Sequence, residues 1–196
     1  NLDGGGIFNG LAAVASIVNT TLSGNSANHS GGGIRNLGNL TITNSTITAN
    51  VADADNDGDT FGGGINGSGT ESLYNTIIAG NFIDGLPGLG SPHDVFATVE
   101  TARNVLLGDP SSTVGITGGV DGNLVGVDPL LGPLQDNGGL TLTHALNLAS
   151  PAIDAGNNTF AIDHLSVALV DDQRGGGFDR IKNAIVDMGA LESDVQ

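Results

Sequence analysis

The sequence has no cysteine and no tryptophan, and its 196 residues include one tyrosine, one methionine and six phenylalanines. Without cysteine there are no disulfides, thiolate metal centres or cysteine nucleophiles. With aromatics at 4%, a core must be assembled from Ile, Leu, Val and Ala. Positive charge is as scarce: five Lys and Arg face 21 Asp and Glu, a net charge of −16. Such a chain repels phosphate, so nucleic acid and anionic membrane surfaces are disfavoured as partners. No apolar run approaches the ~20 residues that span a bilayer, and no signal peptide is present. The first residues, Asn1-Leu2-Asp3-Gly4, run almost directly into a repeat, which predicts a mature form or a segment excised from a longer protein.

What is abundant is glycine, at 33 residues, together with Asn, Thr and Ser. This composition favours turns and short strands over long helices. Eighteen of the 21 acids are Asp, a residue that bonds its own backbone in turns and cation loops. Disorder is disfavoured, because the mean hydropathy is +0.09 and β-branched residues recur in ordered blocks.

Internal repetition decides the fold class. Gly-Gly-Gly-Ile occurs at Gly4–Ile7, Gly31–Ile34 and Gly62–Ile65. Each copy is followed by a second block, Asn19–Asn25, Asn44–Asn50 and Asn75–Asn81, at offsets of 15, 13 and 13 residues. Between them lie alternating stretches such as Leu40-Thr-Ile-Thr-Asn-Ser-Thr-Ile47, the period-two pattern of a half-buried strand. A unit of this size cannot bury its own apolar face, but stacked units can, each strand pairing in parallel with its counterpart ~4.8 Å away. The prediction is an all-β, right-handed parallel β-helix. Stacking would align Asn19, Asn44 and Asn75 in one ladder and Asn25, Asn50 and Asn81 in another, with left-handed backbone at the corners. The glycine triplets fit turns where a Cβ would strike the next rung; their spacing matches no phosphate-loop or dinucleotide fingerprint.

Gly-Gly-Gly-Ile-x-Asn followed by Leu-Thr-Ile-Thr-Asn-Ser-Thr-Ile resembles the repeats of polymorphic-outer-membrane-protein-like surface proteins. Five later motifs, Asp128–Gly139, Leu140–Leu146, Ser150–Gly156, Asp172–Gly175 and Asp187–Glu192, resemble the "choice-of-anchor Q" family of exported bacterial proteins. That resemblance implies a β-helix whose C-terminal motifs close the solenoid, an extracellular or cell-surface location, and no catalytic residues. The chain departs from the pattern at Leu140, where proline is common, in an inserted stretch from Phe178 to Val186, and in ending at Gln196 without a sorting segment.

One domain is expected over residues 1–196: three rungs in 1–84, a loop and further strands in 85–136, and the last rungs with a closing element in 137–196. The sharpest local motif is Asp53, Asp55, Asp57 and Asp59 with Gly58, the first half of a calcium loop, lacking the bidentate Glu at position twelve. It reads either as a solvated acidic loop or as a weak structural Ca2+ site. Polysaccharide cleavage would need a carboxylate pair or carboxylates beside a basic group. Asp171-Asp172 with Arg174 is the one such cluster, and Arg174 is expected to pair with a carboxylate and fix a turn. His144 is expected to be a structural hydrogen bonder. An outward face of Asn and Thr without aromatic platforms is expected to grip sugar rings poorly. The chain therefore reads as a non-enzymatic module of an adhesin or scaffold that engages surface ligands or other copies of itself, or as a filament subunit stacked end to end.

Overall fold

The computed structural model describes residues 3–56, 58, 61–85 and 89–194. It is a parallel β-solenoid with a separate antiparallel hairpin. Three sheets run along the stack. Sheet A comprises Ile7–Asn9, Ile34–Asn36, Ile65–Gly67, Val95–Thr98 and Thr113–Val114. Sheet B comprises Val14–Val18, Asn39–Thr43, Thr70–Tyr74 and Thr101–Arg103. Sheet C comprises Thr21–Ser23, Thr46–Thr48, Ile77–Ile78, Leu106–Leu107 and Leu124–Val125. A short fourth sheet pairs Val51–Ala52 with Phe82–Ile83, which Ser91–Pro92 joins antiparallel.

The register follows the repeats. Ile34 pairs with Ile7 and Ile65, and Ile42 with Ile17 and Leu73. Alternate residues therefore fall in columns, and the inward columns form one core of Ile34, Ile42, Ile47, Ile65, Leu73, Ile78 and Leu107. Sheets B and C meet at a corner where Asn19, Asn44, Asn75 and Asn104 all adopt positive φ, between 46° and 52°. In each glycine triplet the first residue has positive φ. The second lies so close to the next rung that a Cβ on Gly32 would strike the carbonyls of Val51 and Gly63.

Among the described residues after 137, the expected last rungs do not form, while an antiparallel hairpin stands beside the end of the stack. Parallel stacking ends at Val125, and 131–146 form a hairpin in which Leu131–Gln135 pairs antiparallel with Thr143–Leu146. The rest of the segment adds no rung among the described residues. It runs back along the outside of the stack, from the fourth rung to the first. Sheet C explains why. In its second rung Thr46-Ile47-Thr48 alternates, but the third reads Ile77-Ile78-Ala79 and the fourth Leu106-Leu107. Ile77 and Leu106 point away from the main core and would be wet without a cover. With Leu146, Ala152 and Met188 they form a second core instead. Burying such a side chain is worth about 1.5–3 kcal/mol, enough to hold the returning chain against the sheet.

Candidate functional site

The corner asparagines receive that returning chain. Nδ2 of Asn104 donates to the carbonyl of Ala155 (3.0 Å), Asn75 to Asn157 (3.0 Å), Asn44 to Phe160 (3.2 Å) and Asn19 to Asp171 (2.8 Å). Of the first expected ladder, Asn75 also bonds Asn44 (3.0 Å), while Asn19 accepts from Arg180 Nη1 (3.4 Å). The second set is continuous: Asn25 donates to Asn50 (2.9 Å) and Asn50 to Asn81 (2.8 Å). Asn81 then donates to Asp94 (2.8 Å). A third ladder, unread in the sequence, joins Asn9 to Asn36 (2.7 Å) and Asn36 to Glu71 (2.8 Å). Gly67 stands in the column where a third asparagine would fall, and the Glu71 carboxyl fills its place. Both amide chains thus end on a buried acid. Burial raises the Glu71 pKa, and raises Asp94 to about 6 against the lowering effect of its bonds from Asn81 and Asp109.

Of the calcium-loop residues, Asp53 is buried and its carboxylate accepts from the Gly58 N–H (3.2 Å), while Asp55 is exposed. Asp57 and Asp59 lie outside the described residues. Among the described residues no three His, Cys, Asp or Glu side chains are grouped to hold a metal.

Asp172 and Arg174 are buried and paired at 2.8 Å; Arg174 also bonds the carbonyl of Glu192 (2.7 Å) and lies over the Phe178 ring. Beside them, fully buried Arg180 bonds Glu192 (3.0 Å) and the carbonyl of Gly189 (3.0 Å). Burial lowers the Arg180 pKa and raises those of Glu192 and Asp187. The cluster fastens the C-terminal segment to itself and to Asn19. His144 bridges Ser23 (2.9 Å) and the carbonyl of Gly132 (2.7 Å), tying the hairpin to the first rung.

An open concave feature among the described residues lies over sheet B. Between the sheet's outer face and residues Phe160–His164 is a groove of about 760 Å3. Its floor, with Ser16, Thr41, Thr43 and Tyr74, derives from the register of the first three rungs. Ser16, Thr41, Ser72 and Thr101 form one outward column, and Val18, Thr43, Tyr74 and Arg103 form the next. Consecutive members sit one strand spacing apart, ~4.8 Å. The wall is set by the corner: Asn44 and Asn75 fix the backbone at Phe160 and Asn157, and this brings the Phe160 ring to 4.9 Å from Tyr74. Ile162, Asp163 and His164 extend the wall. Asp163 Oδ1 accepts from the N–H groups of Leu165 (2.8 Å) and Val167 (2.9 Å), which lower its pKa and hold a carboxylate there. A separate, smaller depression is lined by Thr101, Arg103 and Asp121.

The faces are therefore not free of aromatic platforms. Tyr74 and Phe160 meet in the groove, and on sheet A Phe61 stacks on Phe96 at 4.5 Å, the two 47% and 39% exposed. The hydroxyl column was legible in the alternation of Leu40-Thr-Ile-Thr. The wall was not, because Phe160 lies 86 residues beyond Tyr74, in a part of the chain without repeats.

No protein family, no curated protein and no solved structure matches the chain.

Proposed function

We propose that the chain is a non-catalytic structural and adhesive module of an extracellular or cell-surface bacterial protein, and that the groove over sheet B is its contact surface. The observation that carries this reading is the construction of the groove. Its floor belongs to a hydrogen-bonded stack and its wall is pinned to that stack by asparagine amides at successive rungs. A site preorganised in this way binds without first ordering itself. The side chains with the types of a cleavage centre, Asp172 and Arg174, are committed to structural bonds. The resemblance of the stretches between Asp128 and Glu192 to motifs of exported surface proteins supports the location.

The test is retention of the labelled protein on isolated bacterial envelopes, beside a Thr41→Trp variant that fills the groove. Retention of the parent, its loss in the variant, and unchanged envelope polymers by chromatography are expected. Equal retention of both proteins, or released fragments, would overturn the reading.

A second reading, stack-on-stack association, rests on the first rung. Its strands have no partner on their outer side among the described residues, and Ile7, Ala15 and Leu22 are only partly buried there. Open edges of this kind pair with further strands. Electron microscopy at high ionic strength, which screens the −16 charge, should then show filaments that Ala15→Lys abolishes; single short rods would sink this reading.

A further inference from the structure

The asparagine ladders have a direction. At each step the backbone N–H and Nδ2 of one residue both donate to a single side-chain oxygen of the next. Asn25 does so to Asn50 (3.0 and 2.9 Å), Asn50 to Asn81 (3.1 and 2.8 Å) and Asn81 to Asp94 (2.8 Å for both). Donors therefore face the later rungs and acceptors the earlier ones. At the first rung no donor among the described residues reaches Oδ1 of Asn25 or of Asn9, although Asn9 is only 5% exposed. Both acceptors stand where an asparagine one rung earlier would donate.

The glycine triplets carry the same direction. A Cβ on Gly5 or Gly6 would strike the carbonyl of Gly32 or Gly33, and a Cβ on Gly32 or Gly33 that of Gly63 or Gly64. A strand laid on the outer side of the first rung would meet the carbonyls of Gly5 and Gly6 in the same way, so only glycine fits at both positions. Its inward side chains would cover Ile7, Ala15 and Leu22, which are only partly buried. Backbone pairing at an open edge accepts any strand; the glycine and asparagine columns restrict it to a rung of this repeat. Neither column reaches the far end of the stack, because His93 and Asp94 follow Gly63 and Gly64 and the ladders finish on Glu71 and Asp94. The far end of another copy therefore offers backbone pairing alone, and the first rung of another copy sets acceptor against acceptor.

We infer that the first-rung edge binds the terminal rung of a different solenoid, one that carries the same repeat and ends on Gly-Gly and asparagine. This goes beyond both readings above: the edge selects a foreign rung whether or not copies of this chain stack on one another.

The probe is a fluorescein-labelled peptide with the sequence of residues 31–56, which carries Gly32, Gly33, Asn36 and Asn50 in one rung. Titrated with the whole chain and followed by anisotropy, it should bind saturably, and hydrogen exchange should show new protection in Ile7–Asn9 and Val14–Val18. Asn50→Leu in the peptide should weaken binding about tenfold, the equivalent of one hydrogen bond, and Gly32→Ala in the peptide should abolish it. Both changes leave the protein itself intact. In the protein, Asn25→Leu should weaken binding of the parent peptide at least as much as the peptide's own Asn50→Leu, and Thr41→Trp in the groove should leave it unchanged.

The inference is overturned if the parent peptide does not bind at submillimolar concentration, or if it binds no better than its Asn50→Leu and Gly32→Ala forms, since the edge would then accept any strand. Binding that Thr41→Trp removes and Asn25→Leu spares would place the peptide in the groove and overturn it equally. Protection gained at Leu124–Val125 in place of the first rung would assign the peptide to the far end, with the same consequence.

Discussion

The stack up to Val125 and the segment from residue 127 onward bury backbone and polar groups in opposite ways. In the stack, each rung satisfies its neighbour through strand pairing and repeated amides, and charge is nearly excluded from the interior. Glu71 and Asp94 are the buried acids at the two ladder ends. The returning segment has little regular structure and is held by unique contacts: Arg174 with Asp172, Arg180 with Glu192, and asparagine amides lent by the stack. Three of the five cations, Arg174, Arg180 and Lys182, lie in it. Repetition makes the stack tolerant, because the same contact is made several times; the segment depends on contacts made once.

The largest effect that would expose this difference is expected at Arg180. Arg180→Met leaves Glu192 buried without its cation and frees the carbonyl of Gly189. A loss of about 3–5 kcal/mol is expected, and hydrogen exchange should show residues 150–194 losing protection before the sheets do. Simultaneous loss in both regions would mean that they form one cooperative unit.

An effect of similar kind should come from pH. The folded pKa of Asp94, about 6, lies above the unfolded value of 3.8, so the folded chain holds a proton that the unfolded chain has released. The stability from this group is full below about pH 4 and is lost as the pH rises through about 6. A difference of this size between the folded and unfolded chain corresponds to about 3 kcal/mol. Glu71, Asp187 and Glu192 are shifted in the same direction by burial. The Tm should therefore rise on going from pH 7.5 to pH 5, and Asp94→Asn should flatten that rise; a Tm that falls on mild acidification would contradict the assignment.

Within the stack, Asn50→Ala should cost about 2 kcal/mol, because the amide and backbone N–H of Asn25 lose their acceptor and the carbonyls of Leu22 and Thr48 lose a donor. Denaturant titration should place this below the Arg180 variant; the reverse order would show the ladder to be the more critical fastening. The smallest effect is expected at the hairpin latch. Ser23→Ala removes one half-exposed bond to His144 and should cost about 1 kcal/mol or less.

The same contrast governs what could be read from sequence. Gly-Gly-Gly-Ile and the Asn blocks fix columns by periodicity alone, so the rungs and the Asn25–Asn50–Asn81 alignment were legible in the chain itself. Asp94 escaped notice as the end of that ladder because an acid replaces the repeated amide. Glu71 did so because it reaches the Asn9–Asn36 column from a neighbouring strand. Nothing periodic marks residues 127–194. Beyond the motifs between Asp128 and Glu192, the physical signal of their packing lies in the stack itself, where Thr46-Ile-Thr gives way to Ile77-Ile-Ala and a strand becomes apolar on both sides. The groove falls between the regimes: its floor repeats and its wall does not.

The bonds between corner asparagines and the returning chain also make that chain a measuring tape. Its carbonyls meet Asn104, Asn75 and Asn44 at residues 155, 157 and 160, advancing two and then three residues per rung. Duplicating a rung within the stack would lengthen the sheets without breaking an amide ladder, since each added asparagine both accepts and donates. The tape would then fall short by one mark. A rung duplicated between Asn44 and Asn104 is therefore expected to go with a two- or three-residue insertion far downstream, whereas at the first rung the longer span from Phe160 to Asp171 leaves slack.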